Sequence, residues 1–329
     1  MLAAAGAEVT GFALAPPAGQ PALFSMSDTA SQIHSVIGDI RQLDVLQQTF
    51  QAAAPEVVFH LAAQPIVRES YRDPVGTYAS NVMGTVHLLE CVRQADSVRS
   101  VVNVTTDKVY RNNEWVWGYR EEDALDGYEP YSNSKSCSEL VTASYRRSFL
   151  AAKHIPVSTA RAGNVIGGGD FAKDRIIPDC IRAAQAGKPV EIRNPHAVRP
   201  FQHVLEPLSV YLALGQMQAE APELAGCYNI GPEERDCVTA GQLVSLFCSA
   251  WGEGAAWKDC SDPNAPHEAG LLKLDCAKSK ALLRWKPTYT IQTAVEKTVA
   301  FAKACAAGTP AGSVMDAQIA DYWREQEHV

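Results

Sequence analysis

Two short stretches carry the residue types that acid–base chemistry needs. The first is Thr105-Thr106-Asp107-Lys108, which sets hydroxyl, carboxylate and ammonium groups directly after the run Ser100 to Val104. A β-branched run of that kind forms a buried parallel strand. Polar groups at its end are delivered to the carboxyl edge of a sheet, where open α/β folds bind ligands. The second is Tyr131 with Lys135, four apart in a segment of helical apolar spacing, so both side chains share one helix face. A lysine beside a phenol lowers its pKa from the ordinary value near ~10 by placing a positive charge next to the phenolate. The expectation is a tyrosine that works as a base near neutrality. With 11 tyrosines in the chain this spacing also arises by chance, and its weight comes from the Thr-Asp-Lys group just upstream.

Such groups need a sheet to hold them. Strand and helix patterns alternate over residues 8–160, as a doubly wound parallel sheet requires. Strands are expected at 8–14, 36–41, 56–61, 100–104, 157–160, 190–193 and 227–230. Helices are expected at 43–54, within 70–95, after 131, from 176, and at 240–251, 279–285, 293–306 and 314–327, with 16–35 as loop. Met1 to Ala5 reads as the last turn of a helix stopped by Gly6. A dinucleotide-binding unit places a strand, a Gly-rich turn and a helix before the strand at 8–14, and no such cluster stands there. The expectation is therefore a sheet without its first strand, with unpaired backbone beside residues 8–14 and no turn for a pyrophosphate. Such a chain is expected to bind a dinucleotide poorly and to be unstable, with a natural start further upstream.

With 329 residues and 47% hydrophobic content the chain can bury a substantial core. Its 37 acidic and 29 basic residues give a formal charge of −8, which argues against nonspecific attraction to nucleic acid or anionic membrane. The nine cysteines include no CxxC pair, so no metal site and no disulfide framework are expected, and a reduced, cytoplasmic setting is. No apolar run approaches the roughly 20 residues of a membrane span, and no signal peptide is read.

Thr106-Asp107-Lys108, Tyr131 with Lys135, the run from Arg161 to Asp170 (RAGNVIGGGD) and the run from Arg199 to Val204 (RPFQHV) together resemble the extended short-chain dehydrogenase/reductase family. More narrowly they resemble its sugar-nucleotide 4,6-dehydratases, over about residues 3–305. The resemblance implies a Rossmann-like α/β domain for NAD at 1–165, N-terminally truncated, and a smaller sugar-nucleotide lobe at 166–329 interleaved with it. For the cofactor it implies Asp39 and Ile40 around the adenine, although a Gly-Asp after apolar residues is also an ordinary strand exit. Ala62, Ala63 and Gln64 would lie along the dinucleotide, Asn81 would brace that loop, and Tyr131 and Lys135 would meet the ribose. His60 reads as a packed strand residue. For the substrate it implies Asn164 at the phosphoryl groups or sugar. An Arg fork suits diphosphate, which points to Arg199 with Arg193 in support and His203 on the same stretch. A solvated ion pair is the alternative for either arginine. Phe201 stands where relatives carry Trp.

The implied chemistry gives Tyr131 the 4-hydroxyl proton, Thr106 a hydrogen bond to the 4-oxygen, Asp107 the role of acid toward the 6-hydroxyl, and Lys108 the C5 proton. dTDP-glucose and GDP-mannose dehydratases look to carry Glu at the third position of that motif. Lys108 there implies CDP-glucose as the substrate. A 4-epimerase shares Tyr131, Lys135 and NAD but has no use for an acid and base that expel a hydroxyl. The same motifs would also suit a dehydratase of another nucleotide sugar, and the missing first strand would suit a noncatalytic, truncated sugar-nucleotide-binding remnant. A homo-oligomer is expected from the family alone.

Overall fold

The computed structural model describes residues 1–261 and 269–326. It opens with a single 3₁₀ turn, Ala3–Ala5, ended by Gly6 at φ +84°, where a residue without Cβ is favoured. Strand β1 (Thr10–Ala13) follows. The stretch expected as loop contains two one-turn helices, α1 (Leu23–Met26) and α2 (Thr29–Gln32), before β2 (His34–Ile37). Next come α3 (Leu43–Ala53), β3 (Val57–His60), α4 (Val67–Arg72), α5 (Pro74–Tyr78) and, after a π turn over Ala79–Met83, α6 (Gly84–Gln94). Strand β4 (Ser100–Val104) ends in a 3₁₀ turn, Asp107–Val109. Helix α7 (Pro130–Tyr145) starts where Pro130 fits the first turn and Glu129 caps it, its carboxylate accepting from the backbone of Tyr131 and Ser132.

Strands β3, β4, β5 (Val157–Ala162) and β10 (Cys227–Ile230) form a parallel sheet in the order β10-β5-β4-β3. β4 and β5 are buried along almost their whole length, which is why their sequences are continuous runs rather than alternations. One face is covered by Leu88, Leu89, Val92 and Leu150, the other by Val210, Leu214 and Trp285. The parallel pair β1–β2 is a separate two-stranded piece, with Thr10 opposite His34 and Ala13 opposite Ile37. Among the described residues no strand bridges the two pieces, and Val57 and Leu61 at β3 are exposed. The fold is thus the doubly wound α/β class, with its sheet in two parts.

Beyond Gly163 the chain forms β6 (Asn164–Ile166), so the run expected as one Gly-rich loop begins as strand, kink and strand. A Cβ at Gly163 would lie 2.5 Å from the Pro200 carbonyl oxygen, so the kink demands glycine. The second lobe holds α8 (Ile176–Gln185), β7 (Val190–Ile192), β8 (Val198–Arg199), β9 (Phe201–His203), β11 (Val238–Thr239), α10 (Ala240–Trp251) and β12 (Trp257–Asp259). Its core is Ile177, Phe201, Leu243, Phe247 and Val295. Helix α9 (Leu205–Glu220) and β10 carry the chain back onto the main sheet, α9 packing through Val210 and Leu214. Helices α11 (Ala277–Leu283), α12 (Ile291–Ala306) and α13 (Ala311–Gln326) close the structure. α13 is docked by the fully buried Tyr322, whose hydroxyl donates to Glu206 at 3.0 Å. No helix of the described residues is long and apolar enough to cross a membrane.

Candidate active site

The carboxyl ends of β2, β3, β4 and β5 each deliver a group of interest. At β4 the turn after Val104 folds Thr106 onto Asp107, Oγ1 donating to Oδ1 at 2.9 Å. Lys108 Nζ donates to the same Asp107 oxygen at 3.0 Å and to Asn164 Oδ1 on β6 at 3.2 Å. Asp107 is fully buried, and its second oxygen, Oδ2, has no partner among the described residues. A buried carboxylate oxygen without a donor is costly to maintain, and it is the open valence of the site. Thr106, Asp107, Lys108 and Asn164, two motifs separated by 56 residues between Lys108 and Asn164, are thus one hydrogen-bonded cluster.

Helix α7 places Tyr131 and Lys135 beside that cluster. The pKa expectation for Tyr131 is corrected: burial pushes the phenol up to about 12, with the Thr106 hydrogen bond and the Arg175 charge opposing the rise and Asp107 adding to it. The Lys135 ammonium donates to the Val104 carbonyl at 3.0 Å. Burial pushes Lys135 itself down to about 8, against the charge of Glu139. Arg175, the residue before α8, was not foreseen at this site. Its charge is felt by Tyr131 although it lies 44 positions along, a relation that no local spacing encodes.

At β3 the loop Ala62, Ala63, Gln64 is held by Asn81 in the π turn. Asn81 Oδ1 accepts from Gln64 N at 2.8 Å, and its Nδ2 donates to Gln64 O at 3.1 Å and to Ser134 Oγ on α7 at 2.9 Å. At the end of β2, Arg41 grips Asp39 with contacts of 2.5 to 3.0 Å and holds its carboxyl below the usual range. Ile40 packs over Gly84, where a Cβ would approach it to 2.8 Å.

Arg193 is half-exposed and pairs with Asp174 at 3.0 Å, the ion-pair alternative. Arg199 is buried, its guanidinium donating to the Val198 carbonyl at 2.9 Å and to the Ala269 carbonyl. His203 is corrected from a substrate contact to a packed residue. Its ring lies edge-on to Tyr289, Nδ1 accepts from Leu205 N at 3.3 Å, and burial pushes its pKa down to about 4. His60 is buried as expected, 3.1 Å from Thr85 Oγ1. Among the described residues no group of three or more His, Cys, Asp or Glu is placed to hold a metal.

The residues fit NAD at its two ends. Asp39 and Ile40 follow β2 and the small Ala62 and Ala63 follow β3, while Tyr131 and Lys135 lie on α7, Lys135 reaching the end of β4 at the Val104 carbonyl. The glycine run Gly167-Gly168-Gly169 follows β6 and packs close to Val204, Phe301 and Leu23.

A CDP-glucose 4,6-dehydratase from Salmonella typhimurium is 44% identical to this chain over 323 residues, 96% of this chain and 89% of that protein. A dTDP-glucose 4,6-dehydratase from Xanthomonas campestris is 26% identical over 84% of the chain and 80% of its own length. Among solved structures, the UDP-glucuronic acid 4-epimerase from Bacillus cereus, in complex with UDP-glucuronic acid and NAD, superposes with a TM-score of 0.77 at 22% identity, covering 92% of each chain. The dTDP-glucose 4,6-dehydratase from Bacillus anthracis in complex with NAD gives 0.72 at 22% identity, covering 89% and 87%. At such identities the structures share the fold. The family described as GDP-mannose 4,6 dehydratase matches residues 22–298, and this chain belongs to it.

Proposed function

We propose that the protein is an NAD-dependent CDP-glucose 4,6-dehydratase that forms CDP-4-keto-6-deoxyglucose. The observation that carries the reading is the buried Asp107, with Lys108 and Thr106 on one oxygen and the other oxygen open. The 44% relative supports the choice of CDP-glucose over other nucleotide sugars.

NAD, when bound, supplies a two-electron acceptor that is regenerated within each turnover, together with a positive charge. Asp39 and Ile40 would hold its adenine end, and Ala62, Ala63, Gln64, Tyr131 and Lys135 its other half. Arg199 and Asn164 would meet the diphosphate and sugar of the substrate.

The chain's own work is proton transfer. Tyr131, as the phenolate that the positive charge of bound NAD would favour against burial, takes the 4-hydroxyl proton as C4 becomes a ketone, which acidifies C5. Passing one proton along the 3.0 Å bond from Lys108 to Asp107 turns the ion pair into a free amine and a carboxylic acid. Lys108 then takes the C5 proton while Asp107 gives its proton to the departing 6-hydroxyl, so water leaves and the ion pair is restored. Lys108 returns the proton to C5 as C6 is reduced. After one turnover Tyr131 holds one proton more and Asp107 one fewer. Thr106, hydrogen-bonded to both, is the route back.

The test incubates the protein with CDP-glucose and NAD and follows the sugar by mass spectrometry and NMR. The expected product has lost one water and carries a C4 ketone. A product of unchanged mass, epimeric at C4, would overturn the reading in favour of an epimerase. Turnover of UDP- or dTDP-glucose in preference to CDP-glucose would overturn the substrate assignment alone.

A further inference from the structure

Helix α7 meets the sheet through polar side chains rather than an apolar stripe. Ser134 is bonded by Asn81, Ser138 by Asn103 and Thr85, and Thr142 by Asn103. At the centre of this face is Glu139, one turn beyond Lys135 and 2% exposed. Its Oε1 accepts from Thr105 Oγ1 at 2.5 Å and from Arg161 Nε at 2.9 Å. Its Oε2 accepts from Thr159 Oγ1 at 2.7 Å and from Arg161 Nη2 at 2.9 Å. Arg161, equally buried, turns its remaining nitrogen to the Tyr110 hydroxyl at 2.9 Å and the Glu121 carbonyl at 2.8 Å. An ion pair this deep is often no more stabilising than apolar residues of the same volume. Stability alone does not account for it. What it joins does: Glu139 lies on the helix of Tyr131 and Lys135, and Thr105 directly precedes Thr106, Asp107 and Lys108.

We propose that Glu139, clamped by Arg161, is a positioning residue that fixes the end of β4 bearing Thr106, Asp107 and Lys108 against the helix bearing Tyr131 and Lys135. The roles of the residues so fixed rest on the dehydratase reading; the clamp itself does not. A second consequence is electrostatic. The groups around Lys135 are Tyr131 and Glu139 on its own helix, His60 from β3, the Val104 carbonyl from β4 and, behind Glu139, Arg161 from β5. His60 is pushed down to about 3 by burial and the Lys135 charge, and is neutral. Glu139 is the carboxylate that sustains the Lys135 ammonium against burial.

Three variants test the clamp: Glu139→Gln, Thr105→Val, and the paired E139M/R161M, which removes both charges and carries the test if E139Q fails to fold with Arg161 stranded. The readouts are kcat against pH and the titration of the Lys135 Nζ by ¹⁵N NMR. In E139Q the alkaline limb of kcat and the Lys135 titration are expected to move down by about one pH unit, and in E139M/R161M in the same direction but by less, because the Arg161 charge is removed too; kcat at the optimum should fall at least about tenfold in both. Thr105→Val, which keeps the charge and deletes one bond, lowers kcat without moving the limb. A Lys135 titration unmoved in a folded charge-neutral variant, or kcat within about threefold of wild type in all three, overturns the proposal. If the wild-type protein does not turn over CDP-glucose, the dehydratase reading fails, and the Lys135 titration still decides the clamp.

Discussion

Replacing Asp107 by Asn keeps the shape of the side chain and removes the one group placed to give a proton to the 6-hydroxyl. The amide oxygen can still accept from Thr106 and Lys108, as Asp107 Oδ1 does at 2.9 and 3.0 Å, and the Lys108 side chain is 27% exposed, so its stranded charge is partly solvated. The fold should persist. What disappears is the carboxylic acid that forms when Lys108 passes its proton to Asp107. General acid catalysis contributes about 10²- to 10⁴-fold, so turnover should fall by about 10³, or about 4 kcal/mol in the barrier. Proton transfer at C5 and departure of the 6-hydroxyl should be lost together, because the Lys108 amine forms by passing its proton to Asp107. Run in D₂O, D107N should return CDP-glucose with little deuterium at C5 and form little 4-keto-6-deoxy product, both read by NMR. Turnover within about tenfold of wild type would refute the acid role. C5 exchange that persists without elimination would show that the Lys108 amine is freed without Asp107.

Three further outcomes follow from particular contacts. A Cβ at Gly127 would sit 2.3 Å from the Ser132 carbonyl carbon, so Gly127→Ala must push the first turn of α7 by about 1 Å; a shift of that size at Tyr131 costs about 10² in kcat, and a folded variant within threefold of wild type contradicts it. His203 has a folded pKa near 4, below its unfolded value, so its contribution is full above pH ~6.5 and is lost as the pH falls toward 4, while Glu206, buried and pushed up to about 7, penalises the fold as the pH rises from ~4.5 to 7. Urea midpoints between pH 7 and 5 should therefore fall less steeply in His203→Gln and more steeply in Glu206→Gln than in wild type, and equal slopes would refute both assignments. Finally, the pair β1–β2, which holds no buried residue, should exchange its amide hydrogens at least about 100-fold faster than β4 and β5, which are buried on both faces; equal protection would show that the two pieces open as one unit.

What was legible in the sequence was whatever is written locally. Ser100 to Val104 and Cys227 to Ile230 are strands over the expected residues, and Ala240–Trp251 is the expected helix, because each pattern is its own signal. The interruption in the sheet could be read too, since a doubly wound fold fixes the order in which its strands must come. His203 shows the limit: imidazole and guanidinium two positions either side of Phe201 look alike as polar candidates, but β9 turns His203 under α9, where Tyr289 from a segment 86 residues away covers it. The pKa of Tyr131 was missed for the related reason that i,i+4 spacing places two side chains on one face without saying how deeply the fold will bury them, and burial raises the phenol.

The same reasoning explains why Glu139 was invisible. In the string YSNSKSCSE it is an ordinary helix-forming residue, one turn after the lysine, and would be read as solvent-facing. Only the approach of Arg161 from β5 and Thr105 from β4 makes it the charge at the centre of the buried face. Motif residues such as Tyr131 and Asp107 can be picked out by type because their chemistry is uncommon. The groups that give those residues fixed geometry are chosen by packing, so they surface only when strands distant in sequence are laid side by side. A change at Glu139 should therefore resemble a change in the motif itself in its effect on rate, though nothing in its local sequence marks it.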